Sequence, residues 1–173
     1  MNIAAPILSK LIPDFSAHGN LIRTWWDRVG HTRTGRRIFS KAVGMAAPYT
    51  GSIHAQVQTL RDGYAEVTLE DRPHLRNHLD CIHAIALANL AELTGNIALS
   101  YSLPPDARFI VAGINMEYLQ KARGVITAQC TSPSPKSATR QEYAVVVDLL
   151  NHEGETVTKA TLRTLVGPKK RQL

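Results

Sequence analysis

Between Asp80 and Asp106 lie 25 residues with a single formal charge, Glu92. Ala, Leu and Ile dominate the window Cys81 to Tyr101, and its apolar residues fall nearly all the way round a 3.6-residue period. A helix apolar on most faces cannot lie on a surface; it must be buried on several sides. Pro104-Pro105-Asp106 closes it. The rest of the chain therefore has to supply a wrapping for one long helix.

That wrapping reads as a sheet. Ile53, Ala55, Val57 and Thr59 alternate with His54, Gln56 and Gln58, and Ala65, Val67 and Leu69 alternate with Tyr64, Glu66 and Thr68. Arg61-Asp62-Gly63 between them predicts a tight hairpin, because Asp-Gly supplies the positive φ such a turn needs. Beyond the helix, Ile110, Ala112, Ile114, Met116 and Tyr118 form one alternating set. Ile126, Ala128 and Cys130 form the next, then Tyr143, Val145, Val147 and Leu149, then Thr156 to Val166. Short turns at Ser132–Ser137 and Asn151–Gly154 predict antiparallel neighbours. Asp71 to Asp80, polar and containing Pro73, reads as loop.

The N-terminal third reads as helical. Pro6 to Leu11 suits a short helix, and Asp14 or Ser16 suits the cap of a second one running to Val29, with Leu21, Ile22, Trp25, Trp26 and Val29 on a packing stripe. A third spans Arg36 to Met45, ended by Pro48, Thr50 and Gly51. The expected class is α+β: N-terminal helices, then a long central helix wrapped by a curved antiparallel sheet of about six strands. The expected organisation is a helical extension over residues 1–50, a main domain over 51–166 and a frayed basic tail over 167–173.

Several function classes are disfavoured. Two cysteines, Cys81 and Cys130, are too few for a disulfide framework or a zinc site and read as small buried hydrophobes. His74, His78, His83 and Asp80 are irregularly spaced, so no metal site is expected. No stretch resembles about 20 apolar residues, and no basic start leads into an apolar core, so the expected location is cytoplasmic, away from any membrane. The net charge of +6 is unevenly spread: Arg23, Arg28, Arg33, Arg36, Arg37 and Lys41 are offset only by Asp27, and Lys169, Lys170 and Arg171 follow at the end. No helix-turn-helix or RNP pattern accompanies this charge, so a nucleic-acid partner is not expected.

Chemistry points back to the central helix. A carboxylate buried at Glu92 is costly unless paired, and is thereby suited to proton transfer. Just upstream reads Asn77-His78-Leu79-Asp80-Cys81-Ile82-His83-Ala84. The first amide N–H groups of a helix have no intrahelical partner and carry the positive end of its dipole, which suits them to an oxyanion. Glu92 lies nine residues beyond His83, about 13 Å along an ideal helix. That is too far for both groups of one chain to serve one substrate, whereas two subunits would resolve it.

The pattern Asn77–x5–His83–x8–Glu92, with Leu90-Ala91 before the Glu, resembles the hotdog-fold thioesterases of the phenylacetate-pathway type. Gly113 to Leu119 and then Ala122-Arg123-Gly124 are similar to that family's next strand segment, and the resemblance runs from about Gly51 to Val166, with its nearest likeness a hotdog group of unassigned function carrying a helical N-terminus. The resemblance implies a hotdog fold over residues 51–166, assembled as a homodimer or homotetramer with sites between subunits. It implies an acyl-CoA thioester substrate, with coenzyme A entering only as part of that substrate and no separate cofactor. Glu92 would be general base or nucleophile. The backbone N–H groups of Ala84 and Ile85 would hold the thioester oxygen, and Asn77 and His83 would position water or carbonyl, with His78 and Asp80 beside the substrate. Arg33, Arg36 and Arg37 would then form an anion site for the phosphates of coenzyme A, against the plainer reading of a solvated helix face. Asp80 stands where the family has glycine, and Ala84-Ile85 replaces Gly-Gly. These departures support an alternative, a non-catalytic hotdog module that binds acyl groups or coenzyme A. A further alternative is a hydratase or dehydratase using His78 and Glu92, whose spacing of 14 matches that class although the Pro-Gly turns between them are missing.

Overall fold

A computed structural model describes residues 19–169 of the chain. The chain runs α1 (Leu21–Val29), α2 (Arg33–Ala46), the single turn α3 (Pro48–Gly51), β1 (Gln56–Arg61), β2 (Tyr64–Leu69), a 3-10 turn at Pro73–Leu75, α4 (Ala84–Ser102), β3 (Ala107–Tyr118), β4 (Ile126–Thr131), β5 (Gln141–Leu150) and β6 (Thr156–Pro168). The six strands form one sheet in the order β1-β2-β4-β5-β6-β3, antiparallel throughout. The expected wrapping is present: α4 packs on all six strands. It packs tightly at Gly95, where a Cβ would stand 3.2–3.3 Å from the side chains of Leu162 and Val145. A Cβ there would require the Leu162 and Val145 side chains to give by a few tenths of an ångström.

Both edge strands depart from simple alternation. A bulge at Gln58 puts Val57 and Leu60 inward, paired with Val67 and Ala65, and turns Thr59 away from the core. The expected inward set of Ile53, Ala55, Val57 and Thr59 is therefore broken at its last member. A second bulge, at Ala112, divides the alternating set of β3. Ile110 pairs with Leu165 on the outer face and is 65% exposed, whereas Ile114, Met116 and Tyr118 pair with inward-facing Leu162, Ala160 and Thr158.

The two edges are treated differently. The β1 edge is covered by α2, where Ser40 Oγ accepts from Val57 N–H at 2.9 Å and donates to Arg36 O at 2.7 Å. Phe39 anchors that helix with no exposure, its ring 5.3 Å from that of Trp25 and 5.1 Å from that of Trp26. The β3 edge has no strand or helix along it among the described residues.

The N-terminal helices differ in detail from expectation. Helix α1 is capped by Asn20, whose Oδ1 accepts from Arg23 N–H at 2.9 Å. The short helix at Pro6 to Leu11 and the caps Asp14 and Ser16 lie outside the described residues. Pro48 does not simply end α2; it opens α3, because proline suits the first turn of a helix. Gly167 and Pro168 belong to β6, and Lys169 donates from its backbone to Asp106 O at 2.7 Å, so the strand outruns the expected start of a frayed tail.

Candidate active site

The loop before α4 is folded by a small polar network. Asp71 accepts from Arg76 Nε at 2.8 Å and from Gly124 N–H at 3.0 Å, while Arg76 also donates to Asp80 Oδ1 at 2.9 Å. The Arg76 hydrogen bond holds the Asp71 carboxyl below the usual carboxylate range despite opposing burial. Arg123 reaches back to the carbonyls of Asp80 (3.0 Å) and Leu79 (3.3 Å). Asp80 sits at φ +52°, the left-handed region, so it occupies a glycine-like conformation where the resembling family has glycine. Its side chain pairs with Arg76 and is 79% exposed.

Helix α4 opens with His83 as its cap. His83 Nδ1 accepts from Ile85 N–H at 3.1 Å, and His83 O accepts from Ala86 and Leu87 N–H. Of the first four amides, Ala84 N–H alone has no partner among the described residues. The expected pair of donors at Ala84 and Ile85 is thus reduced to one, because the imidazole occupies the second. The end is tied to β3 by Tyr118, whose hydroxyl donates to Ala84 O at 3.1 Å. Partial burial raises the pKa of that phenol and keeps it a donor. Around it Leu79, Ile85, Ile114, Tyr118 and Leu119 are each 40–54% exposed, an apolar patch at a helix start.

Glu92 is half-buried, not sealed in the core as its neighbours in sequence suggested. It lies on the face of α4 that carries Ile85, Asn89 and Asn96, since residues spaced by three and four share one side of a helix. Asn89 is 5% exposed; its Nδ2 donates to Tyr49 O at 3.1 Å, and its Oδ1 is buried without a partner. Asn96 Oδ1 is likewise buried and unpaired. Glu92 is therefore flanked on its own helix face by two polar carboxamides rather than by apolar side chains alone. From Ala84 to Glu92 is eight residues, about 12 Å along the axis.

The other candidate residues fall in several places. Asn77 Oδ1 accepts from Leu79 N–H at 2.9 Å and contacts Cys81 Sγ, so its carboxamide shapes the loop. His78 is exposed on that loop. His74, His78, His83 and Asp80 do not converge into a metal-binding group among the described residues. Arg33 is exposed, Arg36 Nε is buried and unpaired, and Arg37 lines a groove between α2 and β1 that also meets Leu93. Asn77 and His83 are not among the residues lining that groove. Sequence reasoning missed Tyr118, Asp71 and Arg76. Arg123 was signalled by its place in the Ala122-Arg123-Gly124 segment, but its role as the clamp on the loop was not. Both cysteines are buried and unbonded, and burial pushes the Cys130 thiol up to about 12.

Comparison with known proteins fits this geometry. A family model described as a domain of unknown function, DUF4442, matches residues 35–166. The crystal structure of the genomics target APC5556 aligns with a TM-score of 0.74 at 32% identity, over 85% of this chain and 98% of that one. A thioesterase family protein from Silicibacter pomeroyi aligns with a TM-score of 0.64 at 14% identity, over 75% and 96% of the two chains. The E. coli PaaI protein, from the phenylacetic acid degradation operon, aligns with a TM-score of 0.60 at 15% identity, over 79% and 94%. No curated protein matches the chain. The fold is the hotdog fold expected from the sequence. No helix among the described residues is long and apolar enough to cross a membrane.

Proposed function

This chain belongs to the DUF4442 family, and from that premise we propose that it is a thioester hydrolase acting on acyl-CoA. The observation that carries the reading is the start of α4: one unpartnered amide at the positive end of a buried helix, opening onto an apolar patch beside a bare sheet edge. Ala84 N–H takes the thioester oxygen as charge develops on it. Glu92 activates water, or attacks the carbonyl to form a mixed anhydride that water then hydrolyses; either way the coenzyme A thiolate is freed and leaves as the thiol after proton transfer.

Ala84 and Glu92 of one copy are too far apart to serve a single carbonyl. The reading therefore includes a second copy. Pairing of two β3 edges would cover the exposed strand and bring the patches of two subunits together. Coenzyme A enters as part of the substrate, and no further cofactor is invoked.

One observation favours the non-catalytic alternative, a module that binds acyl groups or coenzyme A: the Ile85 amide is already taken by His83 Nδ1. A panel of acyl-CoA thioesters separates the two readings. Wild type releases thiol, and Glu92→Gln lowers turnover by roughly 10²- to 10⁴-fold while the fold survives. Binding of coenzyme A ligands without thiol release from any panel member would establish the binding module instead.

A further inference from the structure

The N-terminal helices do more than cover the β1 edge. Where α2 crosses it, α2 and α3 close together at Gly44 and Gly51, so tightly that a Cβ on Gly44 would stand 2.9 Å from Gly51 Cα. This fold-back leaves a groove of about 560 Å³ between α2, α3 and the approach to β1, a size typical of small-molecule sites. Its floor is apolar, with Val43, Ala55 and Leu93. Its rim is basic. Arg37 and Lys41, four residues apart on one face of α2, stand on one side, and His54 is among the residues on the other. No carboxylate is among the lining residues, and neither Arg37 nor Lys41 is in an ion pair among the described residues. His54 is one of two non-glycine residues with positive φ, at +51°.

We propose that this groove binds a fatty acid anion, its tail against Val43, Ala55 and Leu93 and its carboxylate between Arg37 and Lys41. An apolar floor under an uncompensated basic rim selects a single-tailed amphiphile of negative charge. A neutral lipid would leave the two cations without a counterion, and a small anion would leave the floor wet. Leu93 places the floor beside Glu92 in sequence, yet the site needs no turnover to be read.

The experiment is calorimetric titration of the full-length protein with dodecanoate below its micellar range. Acetate, dodecyltrimethylammonium and coenzyme A serve as comparison ligands. Dodecanoate binds; acetate and the cationic amphiphile bind at least tenfold more weakly. The double variant Arg37→Glu/Lys41→Glu loses at least tenfold in dodecanoate affinity with an unchanged thermal midpoint. Ala55→Trp, which fills the floor and leaves the rim, does the same. Glu92→Gln binds dodecanoate as wild type does, which separates this site from the proposed hydrolysis. Equal affinity for the cationic amphiphile would overturn the proposal. So would dodecanoate binding that is absent in wild type or unmoved by both groove variants, and coenzyme A competing for the groove would reassign the rim to its phosphates.

Discussion

The two ends of α4 are finished in opposite ways. At the C-terminal end Asn20 Nδ2 lies 2.8–3.0 Å from the carbonyl oxygens of Ser100, Tyr101 and Leu103, and Arg23 adds bonds to Tyr101 O at 2.8 Å and Leu103 O at 3.2 Å. Both side-chain donors come from the first turn and cap of α1, and a cation sits at the negative end of the dipole. Tyr101 completes the junction through its hydroxyl to Asp27 at 2.8 Å; burial first, and then that carboxylate, push its pKa up to about 12. At the N-terminal end the His83 cap takes one amide, Tyr118 holds the carbonyl of Ala84 and Arg123 clamps the loop before it. An amide and several apolar side chains stay open there. Stability is concentrated at one end of the helix, and chemical potential is left at the other.

The sharpest way to break this contrast is to remove the open amide without touching the helix. Ala84→Pro does so, because proline is tolerated at the first helical position and lacks only the N–H. His83 already has φ −63° and ψ 139°, the extended geometry a residue before proline requires. The expected outcome is a thermal midpoint close to wild type with kcat/KM on acyl-CoA lowered about 10²- to 10³-fold. Undiminished turnover would move the oxyanion site elsewhere.

The closed end should respond in stability alone. Asn20 caps α1 with its oxygen and ties down α4 with its nitrogen, so Asn20→Ala removes both and should cost about 2 kcal/mol in urea unfolding. Asn20→Asp keeps the cap oxygen but turns the donors into acceptors facing three carbonyls. It should be no more stable than the alanine variant if the bonds to α4 are what matter. Turnover per folded molecule should be unchanged in both, since the open end lies a full helix length away.

Much of this contrast was legible beforehand, and the illegible part has physical causes. Unbroken apolar periodicity reported α4 and the strands, because burial on one or both faces leaves that trace directly. The bulges at Gln58 and Ala112 left none: both flanking residue sets alternate, and only pairing with β2 and β6 shows where the phase flips. Glu92 was found because charge is rare in that window, but its degree of burial depends on which face α3 covers. The candidates around Asn77 and His83 were found by type and spacing. Whether their polar atoms are already spent on the backbone is a matter of angstroms that spacing does not carry. Asp80 is the clearest case: a residue that departs from a glycine pattern still takes the glycine conformation.

His83 gives the smallest effect and the finest discrimination. As a cap its loss should be worth about 1 kcal/mol of stability. Its removal also frees the Ile85 amide and restores the second donor that the imidazole occupies. His83→Ala is therefore expected to lower the urea midpoint while turnover holds or rises. His83→Ser, which caps through a shorter side chain, should restore the midpoint. If instead turnover falls in both variants while the serine variant recovers its stability, the imidazole touches the substrate rather than merely starting the helix. The open end of α4 would then carry two working groups of its own, and the contrast with the closed end would be greater than the hydrogen bonds alone imply.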